Sequence, residues 1–167
     1  QCFSATGKPQ NFLEADYFGG KGVGLVRLDT EYGAVDVYNT HWQAEYSVRP
    51  TDDDDGLENH ALRLSQAVEM VQFIRATRRA DFVCAAGDFN SPSDSLPLLF
   101  VLALGGFSDS MVTVRGEEEA SKLFSYPSMD WAKGESIKRM RCDIIMLHSR
   151  HPRLALVVRE SGLDFQQ

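Results

Sequence analysis

DFVCAAGDFN, residues 81–90, is a short apolar run that ends in polar residues. Phe82 to Ala86 have the composition of a buried strand, and Asp88 and Asn90 stand at its end. On an extended chain, a spacing of two puts both side chains on one side. A carboxylate and a carboxamide so placed can hold a hard cation, or orient a water or a phosphate oxygen. The same residue types also close a strand through an Asx turn and cap the helix that follows. The spacing alone leaves both readings open.

Working upstream, VGLVRLD (23–29) and AVDVYNT (34–40) flank a turn at TEYG and predict an antiparallel hairpin. In the second strand Val35 and Val37 share one face, Asp36 and Tyr38 the other, and His41 follows at the rim. VRPTDDDDG (48–56), with a breaker proline, four aspartates and a glycine, is expected to be a loop, solvated rather than calcium-binding because it lacks the ligand spacing of a calcium loop. After it, Leu57, Ala61, Leu64, Val68, Val71 and Ile74 form one helical stripe. Arg75, Arg78 and Arg79 gather at the C-terminal end, where the helix dipole favours cations. His60, near its start, fits a solvated or capping role.

Downstream of residue 90, SPSDSLPLLFVLAL predicts a turn and a second helix broken at Pro97. VRGEEEASK (114–122) reads as an exposed charged segment, and CDIIML (142–147) and LALVVR (154–159) as two strands. Asp143 opens the first of these. Strands that pair both directly and across helices predict a mixed α+β sandwich. His41, Asp88 and Asp143 are then three polar strand ends in one small domain, a pattern that predicts acid–base and metal chemistry at one rim of a sheet.

The chain has 167 residues, 43% hydrophobic and 25% charged, which suits a single domain with a real core. Its net charge of −7 weighs against a nucleic-acid partner. The longest apolar run, Leu96 to Leu104, is far short of a membrane span. Cys2, Cys84 and Cys142 show no CxxC spacing and predict reduced thiols in an intracellular compartment, with Cys84 packed in its strand.

DYFGGKGVG (16–24) sets a lysine among glycines, as phosphate-binding loops do. It fails the nucleoside-triphosphate pattern, since no serine or threonine follows the lysine and no helix follows the loop. The dinucleotide pattern fails because a strand comes next. What remains is Asp16 and Lys21, with Lys21 either a phosphate contact or an exposed loop lysine.

NTHWQAEY (39–46), RLSQAVEMVQFI (63–74), AAGDFNSPSDSLP (85–97), FSDS (107–110) and RCDIIM (141–146) stand in the order of the endonuclease/exonuclease/phosphatase superfamily, which this sequence resembles nearly end to end. More narrowly, FGGKGVGLVRL, VDVYNTHWQAEY and QAVEMVQFI resemble the animal neutral sphingomyelinases. The resemblance implies a four-layer α/β/β/α sandwich of the deoxyribonuclease I-like type, incomplete at both ends, with residues 1–167 forming one partial catalytic domain. It implies Mg²⁺-dependent hydrolysis of sphingomyelin to ceramide and phosphocholine. In that scheme Asp88 and Asn90 hold the metal and position water and phosphate. His41 stabilises charge on the phosphate, Asp143 orients a second histidine, and Lys21 with Asp16 supplies the substrate loop.

The resemblance also implies an intracellular protein that works at a membrane surface in its full-length form, without a transmembrane segment in this chain. A nuclease, an inositol-phosphate phosphatase and a non-catalytic remnant of the same fold are the alternatives. The departures are specific. The family's metal-binding glutamate and its companion asparagine fall upstream of Gln1, and its Ser-Asp-His motif falls beyond Gln167. Neither His148 nor His151 sits in such a motif. Gln43 replaces a frequent second histidine, and Ile144 a usual tyrosine.

Overall fold

A computed structural model describes residues 1–4, 19–44, 53–130, 135–150 and 158–162, with the backbone alone at 53–58, 126–130 and 135–140. The predicted hairpin forms from β1 (Val23–Thr30) and β2 (Gly33–His41), paired from Val23 opposite Thr40 to Thr30 opposite Gly33. A long helix, α1 (Asp53–Thr77), then carries the chain to β3 (Phe82–Asp88), which lies parallel to β2. After α2 (Leu96–Gly105), the two-residue β4 (Ser108–Asp109), α3 (Ser110–Arg115) and α4 (Glu117–Lys122) come β5 (Tyr126–Asp130), β6 (Glu135–Met140) and β7 (Asp143–Ser149). The main sheet has the order β1-β2-β3-β7-β4, and β5 and β6 form a separate antiparallel pair. This is the mixed α+β organisation expected. Of the four layers expected, the described residues show one mixed sheet with α1 packed on one face.

That face is where the core sits. Tyr38 of β2, Val83 and Ala85 of β3, and Ile144 and Met146 of β7 are buried in one cluster with Ala67, Met70, Val71 and Ile74 of α1. The ring of Phe73 meets that of Tyr38 edge-on at 6.0 Å, and the Tyr38 hydroxyl pairs with Thr77 Oγ1 at 2.9 Å. The opposite face of the sheet leaves Val26, Leu28 and Ile145 about half exposed.

Asp36 faces inward with Tyr38 and is fully buried. Its carboxylate accepts from Arg27 Nε at 2.6 Å, from Arg27 Nη2 at 3.1 Å, and from the Arg79 and Ala80 amides at 2.7 and 3.0 Å. Burial pushes its pKa up, but these donors outweigh burial and hold it below the usual carboxylate range. One side chain thus ties the hairpin to the end of α1.

Several expectations are corrected. The acidic run is not a loop: Asp53, Asp54 and Asp55 occupy the first turn of α1, where the positive end of the helix dipole favours carboxylates. The stripe on α1 holds at Val71 and Ile74, which are buried, but is rotated before them, with Ala61 exposed and the buried line running through Arg63, Gln66, Ala67 and Met70. Its N-terminal half buries polar groups because it lies under a polar strand end: Gln66 Oε1 accepts from the Gln43 amide at 2.9 Å. Pro97 does not break α2; it sits in the first turn behind the N-cap Ser95, where no amide donor is needed. The charged segment 114–122 is largely exposed, as expected, and also largely helical; the β5–β6 pair was not anticipated. The expected strand LALVVR lies largely outside the described residues.

Candidate active site

The strand pairings put the polar strand ends in line. His41 ends β2 and is the register partner of Asp88, which ends β3; Asp88 is in turn the partner of Asp143, which opens β7. Neighbouring strands lie roughly 4.8 Å apart, so three side chains distant in sequence occupy one edge of the sheet. Nε2 of His41 stands 3.7 Å from Asp88 Oδ2, an ion-pair distance if the ring is protonated but too long for a hydrogen bond. Both side chains are accessible, at 58% and 36%, and Asp143 is exposed beside them.

Asp88 and Asn90 do not lie on an extended chain. Asn90 adopts the left-handed region at φ 46°, and its amide donates to Asp88 Oδ1 at 2.8 Å. This is the Asx turn that the same residue types were expected to allow, and it brings the two side chains onto one bend. Asn90 Nδ2 donates to the Trp42 carbonyl at 2.9 Å, which leaves Oδ1 as the Asn90 atom able to ligate a cation. Asp88 Oδ2 is the corresponding carboxylate oxygen. The bend is anchored from below. The Trp42 amide donates to the Asp88 carbonyl and the Phe89 amide to the Cys142 carbonyl, both at 2.9 Å. The Trp42 and Phe89 rings meet edge-on at 4.8 Å, and both are fully buried.

Gly87 is required by close packing. Its φ is +146°, and a Cβ there would stand 1.9 Å from the Thr40 carbonyl oxygen of β2. The close approach of β3 to β2 that sets Asp88 beside His41 therefore depends on a glycine.

Lys21 is 7% exposed and so is not a free loop lysine. Gly22, next to it, holds Thr40 through a 2.8 Å bond from Thr40 Oγ1 to its carbonyl. The lysine loop thus joins the same end of the sheet as His41. Asp16 lies outside the described residues.

Two supports have no clear sequence signal. Ser125 Oγ accepts from the consecutive amides of Cys142 and Asp143, each at 3.0 Å, and so fixes the start of β7. Asp109, in the FSDS stretch, takes the Arg141 guanidinium at 2.6 and 3.2 Å while its Oδ1 caps α3 through the Met111 amide at 2.8 Å. That pair is buried, at 4% and 6% side-chain exposure. A buried arginine two residues before Asp143 needs such a carboxylate.

No family model matches the chain. Among curated proteins, it is 35% identical over 110 residues to a Drosophila melanogaster protein named as a neutral sphingomyelinase, covering 65% of this chain and 24% of that protein. Human sphingomyelin phosphodiesterase 2 is 32% identical over 125 residues, 72% of this chain and 28% of that protein. The chain is a relative of the neutral sphingomyelinases. It is also 32% identical to the inositol phosphosphingolipids phospholipase C of Schizosaccharomyces pombe, over 67% of this chain and 26% of that protein. This sphingomyelinase relative therefore spans about a quarter of the length of the curated proteins it matches.

Solved structures agree in fold. SmcL aligns with a TM-score of 0.64 at 19% identity, over 92% of this chain and 49% of that one. Sphingomyelinase C from Streptomyces griseocarneus aligns at 0.56 and 24%, over 85% and 47%. A Staphylococcus aureus beta toxin with bound magnesium ions aligns at 0.51 and 18%, over 80% and 44%. At these identities the alignments establish the deoxyribonuclease I-like fold.

Proposed function

We propose that this chain is part of a phosphodiesterase domain that hydrolyses sphingomyelin to ceramide and phosphocholine with Mg²⁺ as its cofactor. The observation that carries the reading is the row His41, Asp88, Asp143 across three adjacent strands, in a chain about one-third identical to a sphingomyelin phosphodiesterase.

A bound divalent cation supplies stabilisation of phosphate charge. Asp88 Oδ2 and Asn90 Oδ1 fit it as hard oxygen donors on one bend. Among the described residues there is no group of three or more His, Cys, Asp or Glu able to hold a metal. Asp88 and Asn90 are therefore two donors of a larger set, and Mg²⁺ commonly completes such a set with waters and substrate phosphate oxygens. His41, open to solvent at the rim, donates an N–H to a phosphate oxygen and, when protonated, offsets its charge. Asp143 serves to orient an imidazole at the same edge. Lys21 adds positive charge to the rim, with Asp16 as its loop partner. A lipid substrate places the full-length protein at a membrane surface, in an intracellular compartment. The net charge of −7 does not suit nucleic acid.

The test is phosphocholine release from sphingomyelin vesicles in Mg²⁺, using the longest form that the gene encodes beside the 167-residue chain. The long form is expected to turn over, the short chain weakly or not at all, and His41→Ala and Asp88→Ala in the long form to lose turnover while staying folded. Full activity in either variant refutes the site assignment. Release of phosphoinositol from inositol phosphosphingolipids, with none of phosphocholine, moves the substrate to the headgroup named for the fission-yeast relative.

A further inference from the structure

The peptide group between Trp42 and Gln43 is hydrogen-bonded on both sides. Its C=O accepts from Asn90 Nδ2 and its N–H donates to Gln66 Oε1, each at 2.9 Å. Gln66 lies on α1 and is fully buried. One turn earlier on the same helix, Arg63 Nη1 reaches the Gln43 carbonyl at 3.4 Å. A peptide is planar, with its N–H and C=O pointing opposite ways, so holding the N–H from α1 aims the C=O at Asn90. A bonded N–H also polarises the carbonyl it is joined to, because linked hydrogen bonds strengthen one another.

The Trp42 carbonyl can only accept, so it dictates which way the Asn90 carboxamide turns. Nδ2 faces the carbonyl, and Oδ1 is left for a cation. A half-turn of the carboxamide would set two oxygens against each other and offer the cation an NH₂ group instead. The bond from the Asn90 amide to Asp88 Oδ1 holds the bend but not this rotation. We propose that Gln66 is a positioning residue for the Asp88–Asn90 pair, acting through the Trp42–Gln43 peptide to keep Asn90 Oδ1 presented to the cation. The cation itself rests on the phosphodiesterase reading; the orientation of Asn90 rests on the hydrogen bonds alone.

In the isotope-labelled 167-residue chain, nuclear magnetic resonance follows the Asn90 Nδ2 hydrogens, whose exchange with water reports their bond to Trp42. Gln66→Met removes the acceptor, and the milder Gln66→Asn withdraws it by one methylene. In either variant exchange at Asn90 Nδ2 should rise about fivefold, the loss of one ordinary hydrogen bond, while the β1–β2 amides keep parental protection. Gln66→Glu restores an acceptor and should return Asn90 Nδ2 to near the parental rate. In the longest form that the gene encodes, Mn²⁺ binding is measured by electron paramagnetic resonance. It should weaken roughly 10–100-fold in Gln66→Met, the usual cost of losing a partner that orients a metal ligand, and recover in Gln66→Glu. A folded Gln66→Met or Gln66→Asn that loses stability but keeps parental Asn90 Nδ2 exchange and Mn²⁺ affinity would overturn the proposal. So would a Gln66→Glu variant that matches Gln66→Met in both. Neither measurement needs substrate, so inactivity of the long parent toward sphingomyelin would refute the phosphodiesterase reading alone.

Discussion

Replacing Asp109 by asparagine should be among the most damaging single changes in this protein. Asparagine is as good a helix cap as aspartate, so the bonds to the Met111 and Val112 amides, 2.8 and 3.3 Å in the parent, can persist. What is lost is the charge opposite Arg141, whose side chain is only 4% exposed. Removing one partner of a buried pair leaves an uncompensated charge and costs about 3–5 kcal/mol. For a domain of this length, each kcal/mol moves the midpoint of thermal unfolding by about 2–4 °C, so the loss should be roughly 6–20 °C. Asp109→Ala removes the cap as well and should cost about 1 kcal/mol more. The double variant Asp109→Asn with Arg141→Met separates charge from shape: without the guanidinium it should be more stable than Asp109→Asn alone. Urea unfolding followed by far-ultraviolet circular dichroism measures all three. An Asp109→Asn variant within 1 kcal/mol of the parent, or a double variant no more stable than it, would refute the reasoning.

Gly87→Ala should be poorly folded, because the new methyl must push β3 away from the Thr40 carbonyl of β2; a soluble variant with parental midpoint would show that the strands part without cost. Asp36, with its pKa held below the ordinary value, contributes stability that is full above about pH 4, the ordinary carboxylate range. That contribution is lost as pH falls through the lower folded-state pKa, so Asp36→Asn should flatten the acid limb of the stability curve between pH 5 and 2, roughly. Ser125→Ala leaves the Cys142 and Asp143 amides without their shared acceptor and should cost about 1–3 kcal/mol, with hydrogen exchange fastest at those two amides. Unchanged protection there would remove Ser125 from the supports of the rim.

The hairpin was legible because TEYG separates two runs of strand-forming residues, and the strand at 82–88 because its apolar run is short and bounded. His41, Asp88 and Asp143 were legible as strand ends, and their register confirms that they share an edge. Other features depend on partners remote in sequence. Nothing local says that Asp36 rather than Val35 and Val37 faces the core, since Arg27, Arg79 and Ala80 decide it. The rotated stripe of α1 has the same origin, because Gln66 serves the Gln43 amide. Asp109 and Arg141 lie 32 residues apart and carry no spacing signal. The helical start at Asp53 was hidden because Pro50 and Gly56 bracket the aspartates as loop residues do, whereas the helix starts at Asp53 and runs through Gly56, and its dipole makes the aspartates good first-turn residues.

The parallel pairing of β2 with β3 bears on how the protein is made. His41 and Asp88 are neighbours only after the whole of α1 has crossed between their strands, and the Trp42-to-Asp88 backbone bond spans 46 positions. Contacts of such long range close late and slowly, since chain entropy must be spent before they are rewarded. During synthesis, the rim cannot exist until β3 has emerged, and it gains its third member only with β7. An unfinished or misfolded copy thus carries scattered polar residues and no assembled edge, so that competence at the rim and completion of the sheet arrive in the same event.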